Sequence, residues 1–263
     1  MNYGKKGVRA KQKALNSKSQ KWGRKLALTC VKIMLAAVVG IGICGVAAGI
    51  GVFRGILSST PTIRLSDVVA VGEATIVYDK EGNEIDQYVS TNSNRLSVGM
   101  DEIPDYLGKA FVAIEDQRFY QHNGIDVKGI LRAGYQFLKT GGEEAQGAST
   151  ITQQLLKNTV FTDWTSEGDN KIKKIKRKIQ EQYLAIQLEK IMDKKIILKN
   201  YLNTINLGNN TLGVKAAALR YFDKDVSDLT LSEATVIAGI TQNPSRFNPL
   251  SENGRKRNEE KRR

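Results

Sequence analysis

The chain has 263 residues, is 41% hydrophobic and carries a net charge of +13, which leaves room for one sizeable domain with appendages and excludes global disorder. The charge is lopsided: no acidic residue precedes Asp67, and the twelve Lys and Arg before it leave only +1 for everything that follows. A nearly neutral main domain behind a basic tail reads against nucleic-acid binding, which needs its phosphate-neutralising charge on the folded surface.

Residues 1–32 form the basic tail, with nine Lys and Arg in the first 25 residues. The next 21 residues, 33–53, carry no charge and as a helix extend about 31 Å, enough to cross a bilayer core. A cleaved signal peptide is the competing reading, but its apolar region is shorter, about 7–15 residues. The positive-inside tendency then keeps the N-terminus in the cytoplasm and places the rest of the chain outside. Cys30 and Cys44 lie in or beside the span, about 21 Å apart along a helix, too far for a disulfide. The remainder has no cysteine, which excludes thiol catalysis and a Cys-zinc site there.

Residues 54–69 have the polarity and proline of a linker, and residues 70–263 form the main domain. Two β-prone runs flank "DKEGNE", with Gly82 in the turn, and predict a hairpin. After Pro104 the spacing of Leu107, Ala110, Phe111 and Ile114 predicts a helix ending at Glu115 and Asp116. "DVKGILRAGYQFL" repeats the pattern, and "GGEEAQG" is a glycine-rich loop. Thr150 and Gln153 make a capping box at the start of "STITQQLLKN". Ile172, Ile175, Ile179, Tyr183 and Ile186 then share one stripe of a long amphipathic helix. Two more helices follow, "DKKIILKNYLNTINLG" and "SEATVIAGI", the latter opened by a Thr230–Glu233 box. The tail "GRKRNEEKRR" has no apolar residue, so it either frays or belongs to an element that runs on.

The chemistry-bearing residues are carboxylates and cations. His122 is the only histidine, so no HExxH zinc pair exists, and no G-x-S-x-G elbow appears. "KTG" at 139–141 lacks any S-x-x-K companion and reads as loop. Glu115, at a helix C-terminus beside Asp116, meets the negative end of the helix dipole and a like charge, surroundings that suit a general base near neutral pH. The plainer alternative is a solvated helix end, and for His122 a turn residue. Glu181 neighbours Arg177 and Lys178 on one helix face, either as surface ion pairs or as part of a site. The helix start at Ser149 and Thr150, with Gln153, Gln154, Lys157 and Asn158 beyond it, is either surface or a cradle for a phosphate-bearing ligand.

Four stretches together resemble the glycosyltransferase domain of class A penicillin-binding proteins and monofunctional peptidoglycan glycosyltransferases, family 51 of the glycosyltransferases. "EDQRFYQHNG" is similar to the family's E-D-x-x-F-x-x-H-x-G and "GASTITQQLLKN" to its G-x-S-T-I-T-Q-Q-L-x-K-N. "RKIQEQYLAIQLE" and "KKIILKNYLNTINLG" resemble its next two motifs in order. The resemblance implies a mainly α, lysozyme-like domain with a small membrane-proximal hairpin, behind one transmembrane helix in a bacterial cell membrane. It implies that the protein polymerises lipid II into β-1,4 glycan strands and releases undecaprenyl pyrophosphate. Glu115 would deprotonate the acceptor 4-hydroxyl, and Glu181 would organise the donor's pyrophosphate side. Two separated carboxylates suit a one-step inversion. Asp116, Arg118, Lys157, Arg177 and Lys178 would meet substrate, the cations facing pyrophosphate or muramic acid carboxylates. Ser149, Thr150, Gln153, Gln154 and Asn158 would shape the groove, while Phe119, His122 and Gly124 would be structural.

The resemblance also implies Mg²⁺ or Mn²⁺ at the pyrophosphate, though no metal-ligand spacing appears, and other cell-wall synthesis proteins as partners. A membrane-dipping surface is expected at "GGEEAQG" and at "FTDWTSEGDN", with Phe161 and Trp164. The family's fifth motif would begin near Arg262 and Arg263, so the domain is expected to be truncated there. A lysozyme-like hydrolase and a non-catalytic scaffold of the wall-synthesis complex are the alternatives.

Overall fold

The computed structural model describes residues 4–15, 17–69, 75–88, 95–141, 147–162, 168 and 170–262. It divides into two units, at Ser59 and Thr60. In the first, α1 (Lys5–Leu15) precedes the 41-residue α2 (Lys18–Ser58), whose stretch Trp22–Ser58 is long and apolar enough to cross a membrane and buries nothing against the protein.

The second unit is mainly helical. It opens on a short 3₁₀ turn, Leu65–Val68, and a hairpin of β1 (Thr75–Tyr78) and β2 (Glu84–Tyr88), antiparallel with Thr75 opposite Tyr88 and Gly82 at φ +87° in the turn. Then come α3 (Asp105–Glu115), α4 (Val127–Thr140), α5 (Ile151–Thr159), α6 (Lys171–Leu188), α7 (Lys194–Thr204), α8 (Val214–Phe222), α9 (Leu231–Ile240) and α10 (Glu252–Arg262). Helix α5 packs between α6 and α7, α3 packs on α9, and α10 packs on α9. Leu107 and Phe111 of α3, Leu155 and Leu156 of α5, and Ile197 and Tyr201 of α7 are fully buried. Each such side chain contributes about 1.5–3 kcal/mol on leaving water. Phe111 meets Tyr201 edge to face, ring centres 6.1 Å apart.

Three helix faces depart from the sequence pattern. Helix α6 buries Glu181, Leu184 and Leu188, one stripe over from the expected one, and leaves Ile172 80% and Ile175 59% exposed. Helix α4 buries only Gly129 and turns Leu131, Tyr135 and Leu138 to solvent. The tail forms a helix without an apolar stripe: α10 buries Gly254 and Asn258, and the Asn258 amide donates to the Val236 carbonyl at 3.0 Å. Of the expected membrane-dipping loops, residues 142–146, 163–167 and 169, Trp164 among them, lie outside the described residues, as does Arg263.

Candidate active site

Helix α3 starts after Pro104, whose φ of −57° is already helical, and stops at Glu115 because Asp116 is extended at φ −157°. That break turns the chain and presents Glu115 at the helix end. The following loop is pinned at three places. The buried Asp116 carboxylate accepts from His122 Nε2 at 3.0 Å and from the backbone N–H of Ile151, the first residue of α5, also at 3.0 Å. Arg118 and Asp126 form a two-point ion pair, with Nε to Oδ1 at 3.1 Å and a second contact at 2.5 Å. This contact raises the Arg118 pKa and holds the Asp126 carboxyl below its ordinary range. Gly124 sits at φ +89°, and a Cβ there would lie 2.5 Å from the Ala185 backbone of α6, so only glycine allows the approach.

Helix α5 begins at a complete capping box: Thr150 Oγ1 accepts from the Gln153 N–H, and the Gln153 side chain accepts from the Thr150 N–H at 3.2 Å. The Thr150 hydroxyl also lies 2.7 Å from the Gly124 carbonyl, tying the two motif loops together. Phe119 is buried beside them, with Lys194 Nζ 4.3 Å above its ring. Lys194 in turn pairs with Glu189 at 2.8 Å.

These loops border a cleft of about 830 Å³. Of the residues singled out from the sequence, Glu115, Asp116, Arg118, Ser149, Thr150, Gln154, Lys157 and Lys178 line it. Gln153, Asn158, Arg177 and Glu181 do not. Gln153 is 2% exposed and committed to the capping box, so it shapes the groove only by starting α5. Glu181 is 0% exposed, bonded to Arg177 Nη1 and 2.8 Å from Lys178 Nζ. It communicates with the cleft only through Lys178, whose Nζ also donates to Ser149 Oγ at 3.0 Å.

Glu115 is held differently. Gln154 Nε2 donates to its Oε2 at 2.7 Å, and the Thr241 hydroxyl donates to its Oε1. The Tyr201 hydroxyl donates to Gln154 Oε1 at 3.3 Å, which fixes the amide so that its nitrogen faces Glu115. Burial pushes the Tyr201 phenol well above its ordinary pKa, so it stays a neutral donor. Arg132 of α4 and Gln242 also line the cleft. From α10, Lys261 Nζ reaches the Gly239 carbonyl at 3.1 Å; burial lowers its pKa while the negative charge of Glu115 works the other way.

Sequence reasoning missed Thr241, Tyr201, Arg132 and Lys261. Only packing brings Thr241, 126 residues further along, to Glu115. Among the described residues no group of three or more His, Cys, Asp or Glu is placed to hold a metal ion, and Asp116, Asp126 and Glu181 are each engaged with His122, Arg118 or the Arg177–Lys178 pair. The described residues of this cleft thus present no carboxylate cluster for a divalent cation.

The cleft thus combines a carboxylate held by an amide and a hydroxyl with Arg118, Arg132, Lys157 and Lys178 along its walls, groups that suit an enzyme site. Comparison with known sequences agrees. Residues 81–263 match the transglycosylase family. The chain is 43% identical over 220 residues to penicillin-binding protein 1A of Clostridium perfringens, covering 81% of this chain and 31% of that protein. It is 43% identical over 210 residues to that of Clostridium novyi, covering 79% of this chain and 24% of the relative. It is 40% identical over 220 residues to penicillin-binding protein 1A of Escherichia coli K12, covering 84% of this chain and 25% of the relative. The chain thus spans about a quarter to a third of the length of these relatives. It belongs to the transglycosylase family, and its second unit is a peptidoglycan glycosyltransferase domain of the class A penicillin-binding-protein kind.

Proposed function

We propose that this chain polymerises lipid II on the outer face of the membrane, anchored by α2 with its N-terminus in the cytoplasm. Glu115 takes the proton of the acceptor sugar's 4-hydroxyl as that oxygen attacks the anomeric carbon of the donor. The bond to the undecaprenyl pyrophosphate breaks, and the configuration inverts. Lys157, Lys178, Arg118 and Arg132 meet the charge that grows on the departing pyrophosphate, where fixed cations act most strongly. Glu181 contributes by holding Lys178 at the cleft. The observation that carries this reading is the Glu115 carboxylate, bonded on both oxygens and set in a cation-bearing cleft.

The experiment is polymerisation of lipid II in detergent by the chain and by Glu115→Gln, with product length read on a gel. Long glycan from the parent and about a thousandfold less from the variant is the expected result. Cleavage of preformed glycan without polymer would replace the reading with a hydrolase.

The exposed stripe Leu131, Tyr135 and Leu138 on α4 is a surface we assign to the membrane interface. Gly129, on the opposite side of α4, and Arg132, on its flank, line the cleft, so a membrane-lying α4 would bring a lipid-linked substrate to Glu115. Leu131→Glu with Leu138→Glu should raise KM for lipid II at least severalfold in vesicles while leaving it unchanged in detergent. An equal KM in both would reject the assignment.

A further inference from the structure

Two side chains are bonded to the Glu115 carboxylate, and they differ in kind. Gln154 presents an amide nitrogen, which only donates; Thr241 presents a hydroxyl, which donates or accepts. The Thr241 hydroxyl has one proton and two acceptors within reach, Glu115 Oε1 and the Ala238 carbonyl, the latter at 3.0 Å. One proton serves only one of them at a time.

We infer that Thr241 is the positioning residue that serves Glu115 in both of its charge states. While Glu115 is ionised, the hydroxyl donates to Oε1 and orients the carboxylate. During transfer the acceptor O–H bond breaks as its oxygen forms the glycosidic bond, and the electron pair of the broken sugar–phosphate bond leaves on the pyrophosphate. The proton is received on Oε1. The Glu115 O–H then donates to the Thr241 oxygen, whose own proton turns to Ala238, until the proton is returned to water. Neither state leaves a buried polar group unpaired, so the change of charge proceeds without moving side chains. The inference rests on the general-base reading of Glu115 given above.

Other charges face Glu115 and stay in place in the test. Asp116 adjoins it in the chain, Arg118 and Asp126 are paired with each other, and Arg132, Lys157 and Lys178 line the same cleft. Behind it stand the Tyr201 phenol of α7 and Lys261 of α10. A Thr241→Val change alters none of these charges and keeps the side-chain shape, whereas Thr241→Ser keeps the hydroxyl.

The test uses the full chain labelled with ¹³C at glutamate carboxyls, the Glu115 signal being identified by its loss in Glu115→Gln. In Thr241→Val that signal should shift at pH 7, because Oε1 loses its donor. The value of kcat should fall about tenfold with KM kept within about twofold, and Thr241→Ser should restore both readouts. An unmoved Glu115 signal in Thr241→Val, or a change confined to KM, overturns the inference. A moved signal in a chain that makes no polymer leaves the role of Thr241 standing and removes the functional reading instead.

Discussion

Glu115 and Glu181 are the same residue type put to opposite uses by their surroundings. Glu115 ends a helix at an open cleft and is held by an amide and a hydroxyl, neutral groups that orient it without neutralising it. Glu181 lies in mid-helix, fully buried, with Arg177 and Lys178 compensating its charge. A carboxylate that must accept a proton needs partners whose own charge is zero. One that must hold cations in place needs burial and full pairing. The chain places one carboxylate of each kind beside a single row of cations.

Exchanging each glutamate for its amide should separate the two uses. Glu115→Gln is expected to lose about a thousandfold in polymerisation, with the unfolding transition of the second unit almost unmoved, since the glutamine oxygen still accepts from Gln154 and its NH2 can donate to Thr241, whose proton turns to Ala238. Glu181→Gln should do the reverse. Removing one partner of a buried ion pair costs about 3 kcal/mol, because Arg177, at 11% side-chain exposure, loses the carboxylate that compensates its charge. Lys178, 43% exposed, recovers much of its hydration and adds little. Urea unfolding followed by circular dichroism would measure this. The comparison fails if Glu115→Gln is the less stable variant, or if Glu181→Gln keeps the parent's stability.

Much of this division was legible in the sequence and some of it was not. The starts of α5 and α9 were readable because their capping boxes are local, three residues across, and Pro104 marked α3 for the same reason. Glu115 stood out at the end of a clear apolar helix. Helix α8 passed unread: its N-cap is Gly213 at φ +83°, which offers no side chain, and its buried face is mostly alanine. Helix α10 was unreadable by periodicity because Asn258 and Lys261, not an apolar stripe, hold it to α9. On α6 the buried face is Gln180, Glu181, Leu184, Ala185 and Leu188, packed towards α5, and not the isoleucine stripe. Gln153 and Gln154 are adjacent and alike in sequence, and only the helix phase sends one into the cap and the other to Glu115.

A third carboxylate offers the smallest test of the same contrast. Glu233 sits part-buried at the start of α9, 19% exposed, where it accepts from the Thr230 N–H at 2.7 Å and pairs with Lys224 at 2.8 Å. Chiefly through Lys224, and then through Thr230, its pKa drops from 4.5 to about 2. A depressed carboxylate stabilises the fold above its unfolded pKa, and that contribution fades as pH falls from about 4.5 towards 2. Because its partner Lys224 is 40% exposed, screening reduces the pair's worth to about 1 kcal/mol or less. Glu233→Gln should therefore lower the thermal midpoint by only about 1–2 °C at pH 7 and flatten its acid dependence below about pH 4.5, leaving polymerisation unchanged. A loss of stability as large as that of Glu181→Gln would mean that pairing, and not full burial, sets what a carboxylate is worth in this chain.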